Sequence, residues 1–391
     1  MSTILRYLTS GESHGKGIFV ILEGIPSGLR IQEEYINKQL KRRQVGYGRG
    51  ERMRIEKDRV EILSGVRFGK TLGSPISLFI PNLDFKNWEK LMMAKEPEEE
   101  HSFPLFTKPR PGHADLVGGI KYNFLDLRNV LERASARETV ARVAAGAVCR
   151  RLLEEFGISI FSRVIQIGEE KDNTDWQKAL KNYERIEASS LRCGNEKIEE
   201  RMKELIDKAK EKGDTLGGVF EVVVLGVPPG LGSYIQWDLK LDARLAFAVM
   251  SIQAIVGVEI GMGFKCAFCF GSEVQDEIGY TEGKGFYRFT NRCGGIEGGM
   301  TTGEPVIIRA AMKPISTLAR PLRSVDILSK KEVKAAKERS DVCAVPAASV
   351  IAEAVVGVEI ARAMREKFGG DSLEEMKRNY NSYMEYIREK W

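Results

Sequence analysis

The sequence predicts one α+β domain built from two similar halves. Segments rich in β-branched and aromatic residues, which favour strands, precede a long helix of small residues more than once along the chain. A seven-residue segment at 254–260 also recurs at 354–360 with one substitution. This recurrence is explained either by an internal duplication or by the low complexity of small-residue helices.

Each predicted element follows from its local pattern of apolar residues and from the turn residues around it. We expect strands over residues 5–9, 17–26, 60–66, 75–80, 159–167, 218–227 and 305–311. We expect helices over residues 31–42, 129–156, 241–258 and 346–365, and a charged helix after residue 371. Within a domain that spans residues 1–391, charged surface excursions are expected at about 86–108, as a loop or lid, and at about 169–214.

The composition argues against several classes of protein. Of the 391 residues, 43% are hydrophobic and 29% are charged, which is typical of a soluble protein with a sizeable core. A net charge of +5 is too small to indicate a nucleic-acid-binding protein, and no apolar run is long enough to span a membrane. The six cysteines are scattered and no secretion signal is recognisable, so we expect reduced thiols in the cytoplasm.

Two short segments resemble known binding motifs, but each lacks part of the motif. Cys266 and Cys269 form a CxxC pair inside an apolar run, but no second pair completes a zinc site. Structural thiols are therefore favoured over metal binding or redox use. The segment at 65–71 is one residue short of a phosphate-binding P-loop, so we do not assign it to a nucleotide.

The predicted helix over residues 129–156 carries an unusual pair of charges. Arg133 and Arg137 lie four residues apart on one face, and neither has an acidic residue three or four positions away, whereas Arg128 has Glu132. The two arginines are either exposed to solvent or paired with acidic residues from elsewhere in the fold. Alternatively, the two guanidinium groups belong to a site for phosphate or carboxylate groups.

The segment over residues 41–59 is strongly basic and contains three glycines. A solvated run of charge and a nucleic-acid patch are both open alternatives, although its one aromatic residue offers little stacking for bases. A flexible loop that closes over an anionic small molecule fits the glycines better.

Two of the three histidines lie in predicted loops. His14 is in a glycine-rich turn after the first strand, and His113 precedes the long helix. Loop side chains on a rigid scaffold are often placed for function rather than for packing. With the loop arginines, these histidines indicate a pocket that binds several anions and moves protons, and no convincing cluster of metal ligands accompanies them.

Several motifs occur in one order along the chain: GESHG at 11–15, GYGRG at 46–50, RPGHAD at 110–115, RASARET at 133–139, GGIEGG at 294–299, KPIST at 313–317 and RSDVCAVP at 339–346. In these motifs the chain resembles the chorismate synthase family, over essentially its whole length. The resemblance implies a sandwich in which small-residue helices pack between antiparallel sheets, with an internal pseudo-twofold repeat.

The resemblance also implies an activity. The family is a group of carbon–oxygen lyases that convert 5-enolpyruvylshikimate 3-phosphate to chorismate and phosphate by an anti-1,4-elimination. This is the last common step of the shikimate pathway, which leads to the aromatic amino acids. The substrate carries a phosphate and two carboxylates, a demand that the surplus of arginines would meet. The family requires reduced FMN, whose electron-rich ring is understood to lend charge during the elimination and to recover it.

Roles for individual residues are implied in the same way. His14 would protonate or stabilise the departing phosphate, His113 would hold a proton near N1 and O2 of the flavin, and Asp341 would move a proton at flavin N5. The anions of the substrate would be bound by Arg43, Arg49, Arg52, Arg110 and Arg137. The FMN would be bound by Arg133, Ala134, Ser135, Gln253, Ala254, Gly298, Lys313, Pro314, Ile315, Ser316, Thr317 and Arg339.

The resemblance further implies a homotetramer whose flavin is reduced by an external flavin reductase. Arg43 and Arg49 are sometimes associated with NADPH in this family, but the sequence shows no separate nicotinamide-binding fold, so we expect NADPH to act only indirectly. No nucleic acid or membrane is expected as a partner. Two rival functions remain: a nucleic-acid-binding protein that uses residues 41–59, and another phosphate-handling enzyme that uses the same pocket without flavin.

Overall fold

The computed structural model describes residues 5–50, 57–96, 103–283, 285–338 and 340–391. Its strands are β1 (Arg6–Ser10), β2 (Gly17–Glu23), β3 (Glu61–Ile62), β4 (Val66–Arg67), β5 (Lys70–Thr71), β6 (Ile76–Pro81), β7 (Ser159–Ile167), β8 (Glu170–Lys171), β9 (Gly218–Leu225), β10 (Ile255–Ile260), β11 (Ile278–Thr281), β12 (Gly285–Arg288), β13 (Ile296–Glu297), β14 (Met300–Thr301), β15 (Val306–Met312), β16 (Arg323–Val325) and β17 (Glu332–Lys334).

Its α-helices are α1 (Glu33–Gln44), α2 (Asp115–Tyr122), α3 (Arg128–Ala134), α4 (Thr139–Glu154), α5 (Trp176–Lys181), α6 (Tyr183–Ala188), α7 (Glu196–Lys212), α8 (Leu241–Met250), α9 (Gly271–Val274), α10 (Val345–Phe368) and α11 (Leu373–Lys390). Short 3-10 helices occur at Phe85–Asn87, Ala136–Glu138, Trp237–Leu239 and Gly263–Phe268. In the described parts of the chain, no helix has both the length and the apolar character needed to cross a membrane.

The first layer is a four-stranded antiparallel sheet in the order β1-β2-β6-β3. Strand β2 alternates between its two faces: Ile18, Val20 and Leu22 are buried, whereas Phe19 and Ile21 are exposed. Such alternation is typical of an antiparallel sheet that covers the core with one face.

The second layer is a five-stranded antiparallel sheet in the order β10-β15-β9-β7-β8. Its central strand β9 is buried on both faces, as its nearly continuous apolar sequence indicates. Phe220 and Val222 join the main core, while Val223 on the opposite face packs with Phe161 and Ile307 in a second, smaller cluster. Helices α5 and α6 contribute to the cover of that outer face.

Helices α4 and α10 lie between the two sheets. Helix α4 contacts β2 and β6 of the first sheet, and α10 contacts β7 and β9 of the second. The helices approach closely because their contact is made by small residues: a Cβ added to Gly146 would lie 2.5 Å from the Cβ of Ala354. The predicted α+β sandwich, with small-residue helices between antiparallel sheets, is therefore confirmed.

The predicted helix over residues 129–156 is interrupted, and this corrects the prediction. Helix α3 ends at Ala134, Ser135 is extended with ψ at 142°, and α4 begins only at Thr139. The Ser135 hydroxyl accepts a hydrogen bond from the backbone N–H of Arg137 at 3.3 Å, as serine often does at a helix start. Arg133 and Arg137 consequently do not share one helix face.

The predicted helix over residues 241–258 is also wrong in its second half. Helix α8 ends at Met250, a turn follows, and Ala254 adopts a left-handed conformation with φ at +66° before strand β10. The first copy of the recurring seven-residue segment therefore forms a strand, and the second copy lies within helix α10. The recurring segment is not a structural repeat, because tertiary context gives nearly the same residues different conformations.

The other predicted strands and helices are present with ends that differ by a few residues, except that the strand predicted over residues 60–66 is reduced to Glu61–Ile62 and the start of β4. Strand β3 pairs with β6 as the predicted hairpin requires, and Glu61 lies opposite Phe79. The charged segment at 169–214 contains helix α7, which buries Met202 and Ile206 on one face and exposes most of its charges. Residues 86–96 and 103–108 contain no α-helix or strand.

Candidate active site

A cavity of about 620 Å³ opens beside the break between α3 and α4. The turn after β1, the end of α1, the residues before α2 and the loop after β15 all contribute to its wall. The predicted site residues that line this cavity are His14, Arg43, Arg49, Arg110, His113, Ala134, Ser135, Arg137, Gln253, Ala254, Lys313, Ile315, Ser316, Thr317 and Asp341. Residues from distant parts of the sequence thus meet in one hollow.

The remaining predicted site residues have other positions. Arg133 is exposed and donates hydrogen bonds to the carbonyl oxygens of Gly11 and Thr9, outside the cavity wall. Gly298 lies exposed in the turn between β13 and β14, and Pro314 does not line the cavity although both of its neighbours do. Arg52 and Arg339 lie outside the described residues.

His14 is held by a carboxylate that sequence reasoning missed. The buried side chain of Glu132 accepts a hydrogen bond from the backbone N–H of His14 at 2.8 Å, and its Oε1 lies 2.9 Å from Nδ1 of the ring. On its other side, the ring of His14 packs against Trp88, with centroids 3.8 Å apart. The predicted Arg128–Glu132 pair is present at 3.4 Å, but that pairing gave no sign of the contact with His14.

His113 has a carboxylate partner within its own motif. Nδ1 of His113 lies 2.6 Å from Asp115, which also accepts hydrogen bonds from the backbone and guanidinium of Arg110. Burial opposes ionisation of Asp115, but the hydrogen bonds from His113 and Arg110 outweigh burial and hold the pKa of this carboxyl well below its ordinary value. Arg110 therefore organises this turn, and its Nη1 also donates to Thr317 at 3.0 Å.

Arg137 is paired through the tertiary fold. Its Nη1 contacts Asp58 at 2.5 Å, and the same buried carboxylate lies 3.4 Å from Nη1 of Arg43. Arg43 also donates to the Thr139 hydroxyl at 3.0 Å. An acid from elsewhere in the fold therefore pairs with Arg137, as one of the two alternatives expected, and the Arg137 side chain lines the cavity.

Residues 48–50, in the basic segment, contact the residues just before α10. Arg49 pairs with Asp341 at 3.0 Å, and the same carboxylate accepts a hydrogen bond from the backbone N–H of Gly50 at 2.6 Å. The backbone N–H of Val342 in turn donates to the carbonyl oxygen of Gly48. These contacts place a basic side chain and a carboxylate at the same edge of the cavity.

Another wall of the cavity combines a cation, a hydroxyl and an amide. Lys313 Nζ and the Ser316 hydroxyl both donate to the carbonyl oxygen of Gly112, at 2.8 and 2.9 Å. Oε1 of Gln253 is buried, and within the described residues it has no hydrogen-bond partner. A buried acceptor without a partner is rare in folded proteins and indicates a group that a ligand satisfies.

The chain matches the family model described as chorismate synthase over residues 5–364. The chain belongs to the chorismate synthase family. It is 59% identical to a chorismate synthase of Aquifex aeolicus, a match that covers 98% of each chain. It is 57% identical to a chorismate synthase of Desulforudis audaxviator, again over 98% of each. A crystal structure of a chorismate synthase superposes with a TM-score of 0.79 at 49% identity, over 98% of both chains.

Membership of the chorismate synthase family establishes the reaction. Enzymes of this family are lyases that release phosphate from 5-enolpyruvylshikimate 3-phosphate and form chorismate in the shikimate pathway. The family also implies a flavin cofactor, and the cavity fits one. Oε1 of Gln253 can accept a ring N–H, Lys313 and Ser316 can bind an anionic group, and the volume suits a ligand of that size.

A second cluster of polar side chains lies outside this cavity. Asp276, Cys293 and Glu297 are the one group in the described ranges whose ligand atoms lie close enough to share a metal ion. Asp276 already accepts hydrogen bonds from the backbone N–H groups of Arg292 and Cys293, and Glu297 pairs with Arg288 at 2.6 Å. Burial and the neighbouring Asp276 raise the pKa of the Cys293 thiol to about 12, so the thiol stays protonated and the three side chains form a hydrogen-bonding network.

Proposed function

We propose that the cavity is the site where the phosphate of 5-enolpyruvylshikimate 3-phosphate is eliminated in the presence of reduced FMN. The observation that carries the proposal is the meeting of two carboxylate-backed histidines with Arg43, Arg49 and Arg137 in one hollow. The substrate bears a phosphate and two carboxylates, and guanidinium groups bind both kinds of anion through paired hydrogen bonds.

The arginine wall binds and orients the substrate in this proposal. Arg43 and Arg137 are held by Asp58, and Arg49 is held by Asp341, so their guanidinium groups are ordered before the ligand arrives. Ordered donors lose less freedom on binding than mobile ones. Arg110 contributes through its turn with Asp115, and Arg52 completes the predicted set.

The wall formed by residues 134–135, 253–254, 313 and 315–317 holds the FMN in this proposal. Arg133, Gly298, Pro314 and Arg339 remain predicted contacts of the cofactor. When bound, reduced FMN supplies an electron-rich ring beside the allylic C–O bond. The protein binds this ring, orients it against the substrate and keeps water away from both.

Three side chains handle protons. His14 donates a proton to the departing phosphate, or stabilises its charge. His113, fixed by Asp115, holds a proton near N1 and O2 of the flavin. Asp341 moves a proton at flavin N5, at the edge of the cavity where it also pairs with Arg49.

We also propose the setting in which this site works. The protein is a cytoplasmic homotetramer, its flavin is reduced by an external flavin reductase, and NADPH takes part only through that reductase. Large exposed apolar residues support an assembly of several chains, among them Phe264, Phe268 and Phe270, each with more than three quarters of its surface exposed.

An anaerobic assay tests the proposed function. The protein is mixed with 5-enolpyruvylshikimate 3-phosphate and either reduced FMN, oxidised FMN or no flavin, and chorismate and phosphate are quantified. We expect equal amounts of both products, and only with reduced FMN. Phosphate release that does not depend on flavin would support the rival enzyme class. Tight, salt-dependent binding to generic DNA or RNA without turnover would support a nucleic-acid-binding protein.

A further inference from the structure

Glu132 makes three hydrogen bonds to the turn that carries His14. Its backbone carbonyl accepts from the N–H of Ser13 at 3.0 Å, and its carboxylate accepts from the N–H of His14 at 2.8 Å. The third bond joins the carboxylate to Nδ1 of the His14 ring, at 2.9 Å from Oε1 and 3.1 Å from Oε2. Both side chains are buried, so water does not compete for these contacts.

The carboxylate of Glu132 is an acceptor at neutral pH. Burial alone would raise its pKa, but hydrogen bonds from the ring and backbone of His14, with the charge of Arg128, lower it below the ordinary value. An ionised carboxylate has no proton to donate. The hydrogen bond to Nδ1 therefore requires that this ring nitrogen carries the proton.

The other ring nitrogen of His14, Nε2, is available to a ligand in the cavity. Within the described ranges, no protein group hydrogen-bonds Nε2 of His14, and His14 is part of the cavity wall. The ring plane is fixed from the other side by Trp88, whose own position is supported by Arg128 at 5.3 Å and by Asp84, which accepts from its indole N–H at 3.0 Å. The histidine is thus held in one orientation.

We propose that Glu132 is a positioning residue that fixes the orientation and the Nδ1–H tautomer of His14, so that Nε2 delivers the proton to the departing phosphate. The last step rests on the proposed function of the cavity. The C–O bond breaks with its electron pair on the phosphate oxygen, the Nε2 proton of the imidazolium moves to the phosphate, and the ring returns to the neutral Nδ1–H form. Glu132 stabilises both of these ring states, because Nδ1 keeps its proton throughout.

The first test measures the tautomer of His14 in the resting protein. Nitrogen-15 NMR distinguishes protonated from unprotonated ring nitrogens, and the chain has only three histidines, so His14→Ala identifies the signals of His14. We expect a protonated Nδ1 in the wild type. A protonated Nε2 with an unprotonated Nδ1 would overturn the proposal.

Glu132→Gln keeps the size of the side chain but not its bonding pattern. A glutamine has a single carbonyl oxygen, which can accept from the backbone N–H of His14, and its amide group then presents a donor to Nδ1. We expect the neutral ring to change to the Nε2–H tautomer. Glu138→Gln is the matched control, since Glu138 is also buried but pairs with Arg142 and Thr9. Signals that change equally in both variants, or in neither, would contradict a specific role of Glu132.

The second test asks whether Glu132 acts through His14. We expect Glu132→Gln to lower kcat by about 10- to 100-fold, by analogy with carboxylates that orient metal-binding histidines, with KM for the substrate nearly unchanged. In a His14→Ala background the same substitution should change kcat by less than about 2-fold. An equal loss in both backgrounds would show that Glu132 acts independently of His14.

The two tests separate the proposal from the function on which it rests. The NMR measurement needs neither substrate nor flavin, and it decides the orientation and tautomer of His14 by itself. If the wild-type protein made no chorismate, the proton-delivery step would be refuted together with the proposed function. If chorismate were formed but Glu132→Gln left both the tautomer and kcat unchanged, the role of Glu132 alone would be refuted.

Discussion

At the scale of single residues, each cavity histidine has a carboxylate at Nδ1. Glu132 holds His14, and Asp115 holds His113. A carboxylate at one ring nitrogen orients the ring and fixes the position of its proton. The two histidines to which we assign proton transfer are therefore already positioned before any ligand binds.

Removal of either histidine is expected to affect chemistry more than binding. His14→Ala and His113→Ala should each lower kcat by about two to four orders of magnitude, which is the usual contribution of a general acid or base. Reduced FMN should still bind, because neither substitution removes Lys313 or Gln253 from the wall. Anaerobic turnover and flavin titration measure the two effects. Near-normal turnover in both variants would remove these residues from the mechanism.

Arg137 is expected to bind an anion of the substrate. Arg137→Lys keeps a positive charge beside Asp58 but loses the planar fork. A charge-assisted hydrogen bond contributes about 1.5–3 kcal/mol, so the Kd of the substrate should rise roughly 10- to 100-fold. Calorimetric titration with oxidised FMN present measures this value without turnover. Arg142→Lys, outside the cavity wall, is the control, and an equal Kd in both variants would contradict the prediction.

The site was predictable from the sequence where its chemistry is contained in local motifs. The loop histidines and arginines stand out as residue types, and the resemblance assigned them roles. Two of the supporting carboxylates did not stand out, because Glu132 lies 118 positions from His14 and Asp58 lies 79 positions from Arg137. Contacts at such separations depend on the tertiary fold, which no local pattern reports.

At the scale of elements, the contact between α4 and α10 depends on small residues. Gly146→Ala would place a Cβ 2.5 Å from the Cβ of Ala354 and 2.7 Å from its backbone oxygen, and neither atom can move without shifting a helix. We expect a loss of about 1–3 kcal/mol in the free energy of unfolding, larger than the gain in helix propensity. Chemical denaturation measures the difference.

Gly357→Ala is the matched control on the facing helix. Its Cβ would lie 3.3 Å from the flexible Cδ1 end of Ile160, which can move by a few tenths of an ångström. Here the gain in helix propensity, about 1 kcal/mol, should offset the tighter packing. Equal destabilisation by the two substitutions would show that the close approach at Gly146 is unimportant.

Element boundaries were the least predictable part of the chain. Residues 129–156 form a good helical pattern, but Ser135 is more stable as a cap that breaks the helix beside the cavity. Residues 254–260 and 354–360 are nearly identical, yet one copy is a strand paired with β15 and the other lies in a helix among buried neighbours. Propensity alone could not separate these outcomes.

At the scale of the whole molecule, one buried carboxylate connects several layers. Glu353 on α10 contacts Arg42 of α1 at 2.7 Å, Arg150 of α4 at 2.7 Å and Arg192 at 3.1 Å. The Ser162 hydroxyl of β7 donates to it at 2.7 Å. This network fixes the end of α1, from which the neighbouring Arg43 enters the cavity.

The Glu353 network is expected to shape the acid stability of the protein. Burial opposes its ionisation, but the three guanidinium groups lower its pKa to about 2. Because the folded pKa lies below the ordinary value of about 4.3, its contribution to stability is complete above that pH and is lost as the pH falls towards 2. The free energy of unfolding should therefore decrease over this range.

Glu353→Gln should flatten that decrease and also destabilise the protein at neutral pH by about 3–5 kcal/mol, because buried arginines lose their counter-charge. Denaturant titrations between pH 2 and pH 7 measure both effects. Glu204→Gln, at an exposed position of α7, should leave the curve within about 0.5 kcal/mol of the wild type. If the free energy of unfolding of Glu353→Gln fell with decreasing pH as steeply as that of the wild type, the role of this network would be contradicted.

The layer order was predictable at this scale, because the resemblance covers nearly the whole chain and the helices are visibly rich in small residues. The order of strands within each sheet was not, since it depends on pairings such as β2 with β6 and β9 with β15, which join distant segments. The buried ionic network could not be predicted either, because its members lie on five separate parts of the sequence.

The most direct test is a crystal structure of the protein with oxidised FMN and 5-enolpyruvylshikimate 3-phosphate, a combination that we expect to bind without turnover. We expect both ligands in the 620 Å³ cavity, with the substrate phosphate within hydrogen-bond distance of Nε2 of His14, the other substrate anions on Arg43, Arg49 or Arg137, and the flavin against Gln253 and Lys313. Ligands bound elsewhere, or a phosphate far from His14 and the arginines, would contradict the proposed site.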